Sequence, residues 1–228
     1  ATNGTTITPE FALKMKRAGI RYVEISLDSV EPAKHDMFRN VPGAWKRTVE
    51  GIKNAVRAGL VTGIATTVTK MNMDEIEDMA RFAEELGVNR LIYFNFIPTG
   101  RGQEIADWDL TPEERKDVLR RIYREAIARR VEIASTAPQF SMVSLVESRG
   151  KRISPTHFAL SYDPGILALA EFIGGCGAGR IYSAIEPNGE VVPCVFLPIK
   201  VGNLRVSRFK EIWEGSPVLQ KMRNRDLL

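Results

Sequence analysis

The apolar positions of this chain switch between two periods. Tyr22-Val23-Glu24-Ile25-Ser26-Leu27 is β-rich and alternates at its start, Leu60 to Val68 is apolar and β-branched, and Arg90 to Ile97 is a third run of the same kind. Between them the period becomes helical. Trp45, Val49, Ile52 and Val56 recur at spacings of three and four within Trp45 to Ala58, and Ile76, Met79, Ala80, Ala83 and Leu86 share one face of Asp74 to Leu86. Both segments are therefore amphipathic helices, with Gly59 and Gly87 placed as C-terminal caps. Thr8 to Ala18 reads as a helix closed by Gly19. Thr111-Pro112-Glu113-Glu114 is a helix start, with Thr at the N-cap, Pro at the first position and Glu at the third. That helix runs to about Arg130.

Strand starts recur at roughly 30–40 residues with a helix between each pair. This is the βαβ pattern of parallel strands joined by right-handed crossovers. Ligands in such folds bind at the C-terminal ends of the strands. The segments to inspect are Asn3-Gly4, Ser26 to Ser29, Val68 to Asn72 and Ile97 to Gly102, all polar or glycine-rich. From Ser135 to Gly175 the pattern is irregular. A hairpin then follows, with a strand over about Arg180–Ile185, a turn at Pro187-Asn188-Gly189 and a second strand over Glu190–Val192.

Composition narrows the class. The chain has 228 residues, 44% hydrophobic and 26% charged, enough for one substantial core and a small appendage. No apolar run is long enough to span a bilayer. Net charge is +4, with basic clusters at Arg115 to Arg130 and Lys221 to Arg225. Such clusters on a helix form a solvated face more often than a nucleic-acid site, and an anionic small substrate fits the charge equally well. Only two histidines, His35 and His157, are present, so a histidine-rich metal site is excluded. Neither a signal peptide nor a dense cysteine framework is seen, which points to a cytoplasmic protein. Both ends are abrupt, and we read the chain as an internal piece of a longer one.

Cys176 and Cys194 are the two cysteines, and they flank the hairpin. Hairpin ends can bring two sulfurs to one metal. Two thiolates do not complete a zinc site or an iron–sulfur cluster, which take four ligands. Small buried hydrophobes or a disulfide are the other readings of the pair.

In order and spacing these segments resemble a radical S-adenosylmethionine (SAM) enzyme with a C-terminal SPASM-type or twitch-type auxiliary cluster domain. The marks are Thr2-Asn3-Gly4, Ser26-Leu27-Asp28-Ser29, His35-Asp36-Met37-Phe38-Arg39 before Pro42-Gly43, Val68 to Asn72, and Pro98-Thr99-Gly100-Arg101-Gly102. They close with a cysteine, twelve residues, a glycine, four residues and a cysteine, then Gly202-Asn203 and Ile212-Trp213. The resemblance covers nearly the whole chain. The family's cysteine triplet, C-x₃-C-x₂-C, and its Gly-Gly-Glu segment are absent, as is a later C-x₂-C pair. All three would lie beyond the two ends.

The resemblance implies an α/β fold: a partial (β/α)₆ TIM-like barrel over residues 1–134, of which only the fourth, fifth and sixth strands are complete. A linker and a small α+β auxiliary-cluster module with a β-hairpin fill residues 135–228. It implies a [4Fe–4S] cluster held outside this chain, SAM, and one or more auxiliary [4Fe–4S] clusters. Ser26 would hydrogen-bond the SAM ribose, Arg39 would pair with its carboxylate, Ile97 would meet the adenine through backbone groups, and Asn3 and Gly4 would border the pocket. Cys176 and Cys194 would ligate an auxiliary cluster, with their sulfurs roughly 6–7 Å apart if they bind different irons. Without the resemblance, Ser26 is a loop cap and Arg39 a surface ion pair; Lys34 reads as an exposed lysine. No residue of the chain is singled out as catalytic. The activity implied is reductive cleavage of SAM to a 5′-deoxyadenosyl radical that takes hydrogen from substrate, with ferredoxin or flavodoxin as reductant. Ala137-Pro138-Gln139-Phe140 and the layout resemble the branch that modifies tetrapyrrole side chains in alternative haem and haem d1 synthesis. Peptide-modifying maturases share the architecture. A non-catalytic βα scaffold that has lost its cluster is the alternative from another class.

Overall fold

The β-rich runs form one parallel sheet. In a computed structural model that describes residues 1–154, 163, 165, 168, 172–173 and 176–224, β1 (Tyr22–Ser26), β2 (Val61–Val68), β3 (Arg90–Asn95) and β4 (Glu132–Ser135) stand side by side in chain order. Thr2 adds a parallel bridge to Ile25 on the outer side of β1. The register aligns Ile25, Ile64, Leu91 and Ile133 as one apolar row across all four strands. Each is at most 2% exposed, and burying such a side chain contributes roughly 1.5–3 kcal/mol. The row packs with Ile52 of α3 (Ala44–Arg57), Met79 of α4 (Ile76–Glu85) and Ile122 of α5 (Pro112–Ala128). On the opposite sheet face the next row is Ser26, Ala65, Ile92 and Ala134.

Local chemistry sets the helix ends. α1 (Pro9–Arg17) starts where the Thr8 hydroxyl accepts the Phe11 N–H. At the start of α5 the Thr111 hydroxyl accepts the Glu114 N–H, and the Glu114 carboxylate accepts the Thr111 N–H in return. α2 (Pro32–Arg39) and α3 are joined through Asp36. Its carboxylate accepts the N–H groups of Gly43 at 2.5 Å and Trp45 at 2.7 Å. The bond from Trp45, more than that from Gly43, holds the Asp36 carboxyl below its usual pKa.

Two elements differ from expectation. β4 extends the sheet past the last expected strand, and α6 (Phe140–Glu147) lies in a stretch read as irregular. Four residues are too few to show a period, and β4 exists because β3 offers it a paired edge over Arg90 to Tyr93. α6 carries serines between its apolar positions, and these blur the helical repeat. The boundary expected after residue 134 falls inside β4; the chain divides instead into compact units Ala1–Leu167 and Ala168–Leu228.

In the second unit, β5 (Ala184–Ile185), β6 (Glu190–Val192) and β7 (Gly202–Asn203) form an antiparallel sheet in that order. α7 (Phe209–Gly215) and α8 (Pro217–Arg223) follow, with Arg223 stacked 4.4 Å from the Trp213 ring centroid. The hairpin turn sits where expected, with Gly189 at φ 86°. Its first strand is shorter than the expected Arg180–Ile185. Gly179, at φ 67°, turns residues 177–182 into a tight loop before β5 begins. His157 and Arg225 lie outside the described residues, as does most of the apolar run from Gly165 to Ala170. Among the described residues no helix is long and apolar enough to cross a membrane.

Candidate functional site

Asp28, in the loop after β1, organises the first site. It is fully buried. Its Oδ2 accepts the Arg39 Nε–H at 2.6 Å and its Oδ1 accepts the Thr67 N–H at 3.1 Å. The Asp28 N–H in turn donates to His35 Nδ1 at 3.2 Å. His35 and Arg39 are one helical turn apart on α2, so one face of that helix meets one aspartate. The Arg39 guanidinium is thereby fixed through Nε and lies 5.5 Å from the Phe38 ring centroid, and its two terminal nitrogens make no hydrogen bond among the described residues.

Arg39 lines a cavity of about 180 Å³ together with Asn3, Ser26, His35, Arg47 and Thr48, and with Thr5, Val41 and Ala44. It lies at the C-terminal end of β1. The Ser26 N–H donates to Thr2 O, while its hydroxyl has no partner among the described residues; the loop is tied by Ser29 instead, whose hydroxyl accepts the Glu31 N–H. Asn3 Oδ1 accepts both the N–H and the hydroxyl of Thr5, and Asn3 O accepts the Thr48 hydroxyl at 2.9 Å. Gly4 sits at φ 75°, and a Cβ there would stand 2.5 Å from Ile25 Cγ2. Asn3, Ser26 and Arg39 are thus brought together; Gly4, next to Asn3 in the turn, is not among the lining residues. Ile97, past β3, is not among the cavity's lining; its carbonyl accepts the Thr99 N–H at 2.8 Å. An anion fits the donor set: a cation held by a buried carboxylate, a free hydroxyl and an open concavity.

Lys34 is not the exposed lysine that the sequence suggested. Its ammonium lies 2.6 Å from Glu75, 3.1 Å from Glu31 and 3.5 Å from Asp74. Glu75, buried, also accepts the Ser29 hydroxyl at 2.7 Å and the Val30 N–H at 2.9 Å. This ion cluster pins the other end of the same loop. A larger groove of about 720 Å³ runs between α5 and α6, lined by Arg115, Leu119, Arg120, Met142, Val143 and Val146 among others; none of the expected site residues lines it.

The second site is the hairpin. Cys176 and Cys194 are both free thiols, one exposed and one half-buried, so neither the apolar-core nor the disulfide reading describes them. The Tyr182 hydroxyl lies 3.9 Å from each sulfur. The two sulfurs therefore stand no more than twice that distance apart, on the same side of the hairpin loop as one phenol. Two convergent thiolates fit half of a four-ligand cluster site. Burial, then the two thiols, raises the Tyr182 pKa well above its ordinary value.

Asp28 and Tyr182 carried no role in the sequence reading. The signal for Asp28 was the spacing of four between His35 and Arg39, which puts both on one partner. For Tyr182 no periodic signal exists; only the glycine-driven loop brings it to the thiols.

Residues 1–83 match the family model described as the radical SAM superfamily, and residues 176–227 match SPASM, an iron–sulfur cluster-binding domain. Among curated proteins the chain is similar to an AdoMet-dependent heme synthase of Methanosarcina barkeri, 32% identical over 98% of this chain and 62% of that protein. It is also similar to the mycofactocin maturase MftC of Mycolicibacterium smegmatis, 28% identical over 98% of this chain and 52% of the relative. The chain thus spans between half and two thirds of their length. A solved structure, anSMEcpe with bound AdoMet, superposes with a TM-score of 0.62 over 96% of this chain and 54% of the other, at 14% identity; that likeness shows the fold.

Proposed function

Because the chain belongs to the radical SAM superfamily and carries an iron–sulfur cluster-binding SPASM domain, we propose that it is the greater part of an enzyme that binds SAM in the Asn3–Ser26–Arg39 cavity and modifies a tetrapyrrole. The observation that carries the binding reading is the Arg39 guanidinium, fixed through Nε by buried Asp28 and open at its other two nitrogens. A carboxylate there gains two charge-assisted bonds without paying to orient the side chain. The free Ser26 hydroxyl suits a ribose oxygen, and Asn3 lines the cavity with Gly4 beside it in the turn. When bound beside a reducing [4Fe–4S] cluster held outside this chain, SAM would supply, with methionine as leaving group, the 5′-deoxyadenosyl radical for hydrogen abstraction. The part of this chain is to hold the cofactor and to present thiolates for an auxiliary cluster through Cys176 and Cys194. Ile97 is kept as an adenine contact made through its backbone groups.

The tetrapyrrole reading rests on the heme synthase likeness across 98% of the chain. Peptide modification is the second reading, supported by the likeness to MftC. The full-length protein, reconstituted anaerobically and given a one-electron reductant such as reduced flavodoxin, decides between them. Formation of 5′-deoxyadenosine stimulated by an iron porphyrin precursor is expected. Stimulation by a peptide alone would transfer the assignment to the maturases, and no SAM cleavage in either case would leave a binding scaffold.

A further inference from the structure

We propose that the Tyr182 hydroxyl donates its single proton to one of the two thiolates, Cys194 or Cys176, when they hold the auxiliary cluster, and so raises the cluster's reduction potential. The inference rests on the cluster-ligand reading of these cysteines and adds a residue to it. Its ground is geometric. The Tyr182 oxygen is 3.9 Å from both sulfurs, and these are its only partners among the described residues.

The backbone holds it there. The loop closes through Gly179 N–H to Tyr182 O at 2.9 Å, with the Arg180 and Ile181 N–H groups both donating to Gly177 O. Gly177 lets the Ile181 side chain lie directly over it, since a Cβ there would stand 2.4 Å from Ile181 Cγ1. The loop is thus wound to turn residue 182 back toward residue 176. Tyr182 also bridges to Ala178, and its carbonyl end leads into β5, which pairs with the strand that delivers Cys194. One phenol is therefore tied by main-chain bonds to the segments that carry both ligands.

The chemistry follows from donor and acceptor types. A phenol is a donor, and a thiolate ligating iron is an acceptor that becomes more electron-rich when the cluster is reduced. A bond that strengthens on reduction favours the reduced state, and the groups that hydrogen-bond to metal ligands are among the protein's means of tuning a cluster. Phenylalanine at this position keeps the ring and its packing but lacks the donor.

The test uses the full-length protein, reconstituted anaerobically. Iron content and a redox titration followed by electron paramagnetic resonance are compared for the parent, Tyr182→Phe, and the double variant Cys176→Ser/Cys194→Ser. The double variant is expected to lose iron and one reducible signal, which identifies that signal as the auxiliary cluster. Tyr182→Phe should keep its iron, and the midpoint of that signal should move to more negative potential. An exchangeable proton coupled to the cluster, seen by electron–nuclear double resonance in the parent and erased in deuterated buffer, should be missing in Tyr182→Phe. An unchanged midpoint with full iron, or loss of iron like that of the cysteine variant, overturns the donor role. Retention of all iron and all signals by the cysteine variant overturns the ligand reading itself.

Discussion

The main-chain N–H of Asp28 points at Nδ1 of His35 across 3.2 Å. A ring nitrogen that accepts a hydrogen bond carries no proton, so His35 is neutral with its proton on Nε2. The nearby Asp28 carboxylate, 3.6 Å from Nδ1, therefore makes no ion pair with it. Burial, opposed in part by Asp28, keeps the His35 pKa below its ordinary 6.5. In the unfolded chain the ring titrates near that value, so on acidification the unfolded state takes up the proton first. Stability from this group is full above about pH 6.5 and declines as pH falls toward the folded-state pKa. His35→Gln should make the urea midpoint fall less between about pH 7 and pH 5 than in the parent. Equal falls would show that the ring does not titrate differently on folding.

Arg39→Ala should weaken SAM binding by about 10- to 100-fold, the worth of a charge-assisted pair at roughly 1.5–3 kcal/mol. Lys34 is a poor control because of its carboxylate partners. Lys46 is exposed and makes no ion pair among the described residues, so Lys46→Ala should leave affinity unchanged. Asp28→Asn should fall between the two, since it frees the guanidinium without removing it. Calorimetric titration of the anaerobic full-length protein measures all three, and equal affinities for the Arg39 and Lys46 variants would take Arg39 out of the site.

Glu75→Ala should destabilise the first unit by about 2–3 kcal/mol, because it strands the Ser29 hydroxyl and the Val30 N–H together. Glu75→Gln keeps one acceptor oxygen and should cost less. Denaturant melts rank the two, and a neutral Glu75→Ala would mean that water replaces the carboxylate at no cost.

Much of this was legible in the pattern of residues. Trp45 to Ala58 and Asp74 to Leu86 announce their helices because each has a single apolar face against one core. The Thr111 start is visible because a capping box is local chemistry. β4 was hidden because its stability comes from pairing with β3 rather than from its own four residues. The gathering of Asn3, Ser26 and Arg39 was anticipated through resemblance, and the geometry adds the reason: Asp28, whose role needs the fold to bring β2 and α2 to one carboxylate. The partners of Lys34 were missed for the same cause, since Glu75 lies 41 residues away along the chain.

Gly51 of α3 faces the Asn3-Gly4 turn so closely that a Cβ on it would stand 2.1 Å from Gly4 O. Gly51→Ala should favour the helix by about 1 kcal/mol on propensity alone, yet lower the stability of the unit and weaken SAM binding together, because the turn or the helix must move. A more stable variant with unchanged affinity would show that the turn yields freely.

That contact also bears on how the cavity moves. Turns beside binding sites usually belong to the loosest parts of a protein. Here the turn rests on a helix backbone with no side chain between them, and Thr48 clamps it from the same helix. No rotamer is available to absorb a displacement, so the wall and α3 are one stiff part, and whatever tilts the helix reshapes the cavity. The amide of Gly4 should accordingly exchange with solvent as slowly as those in the middle of α3.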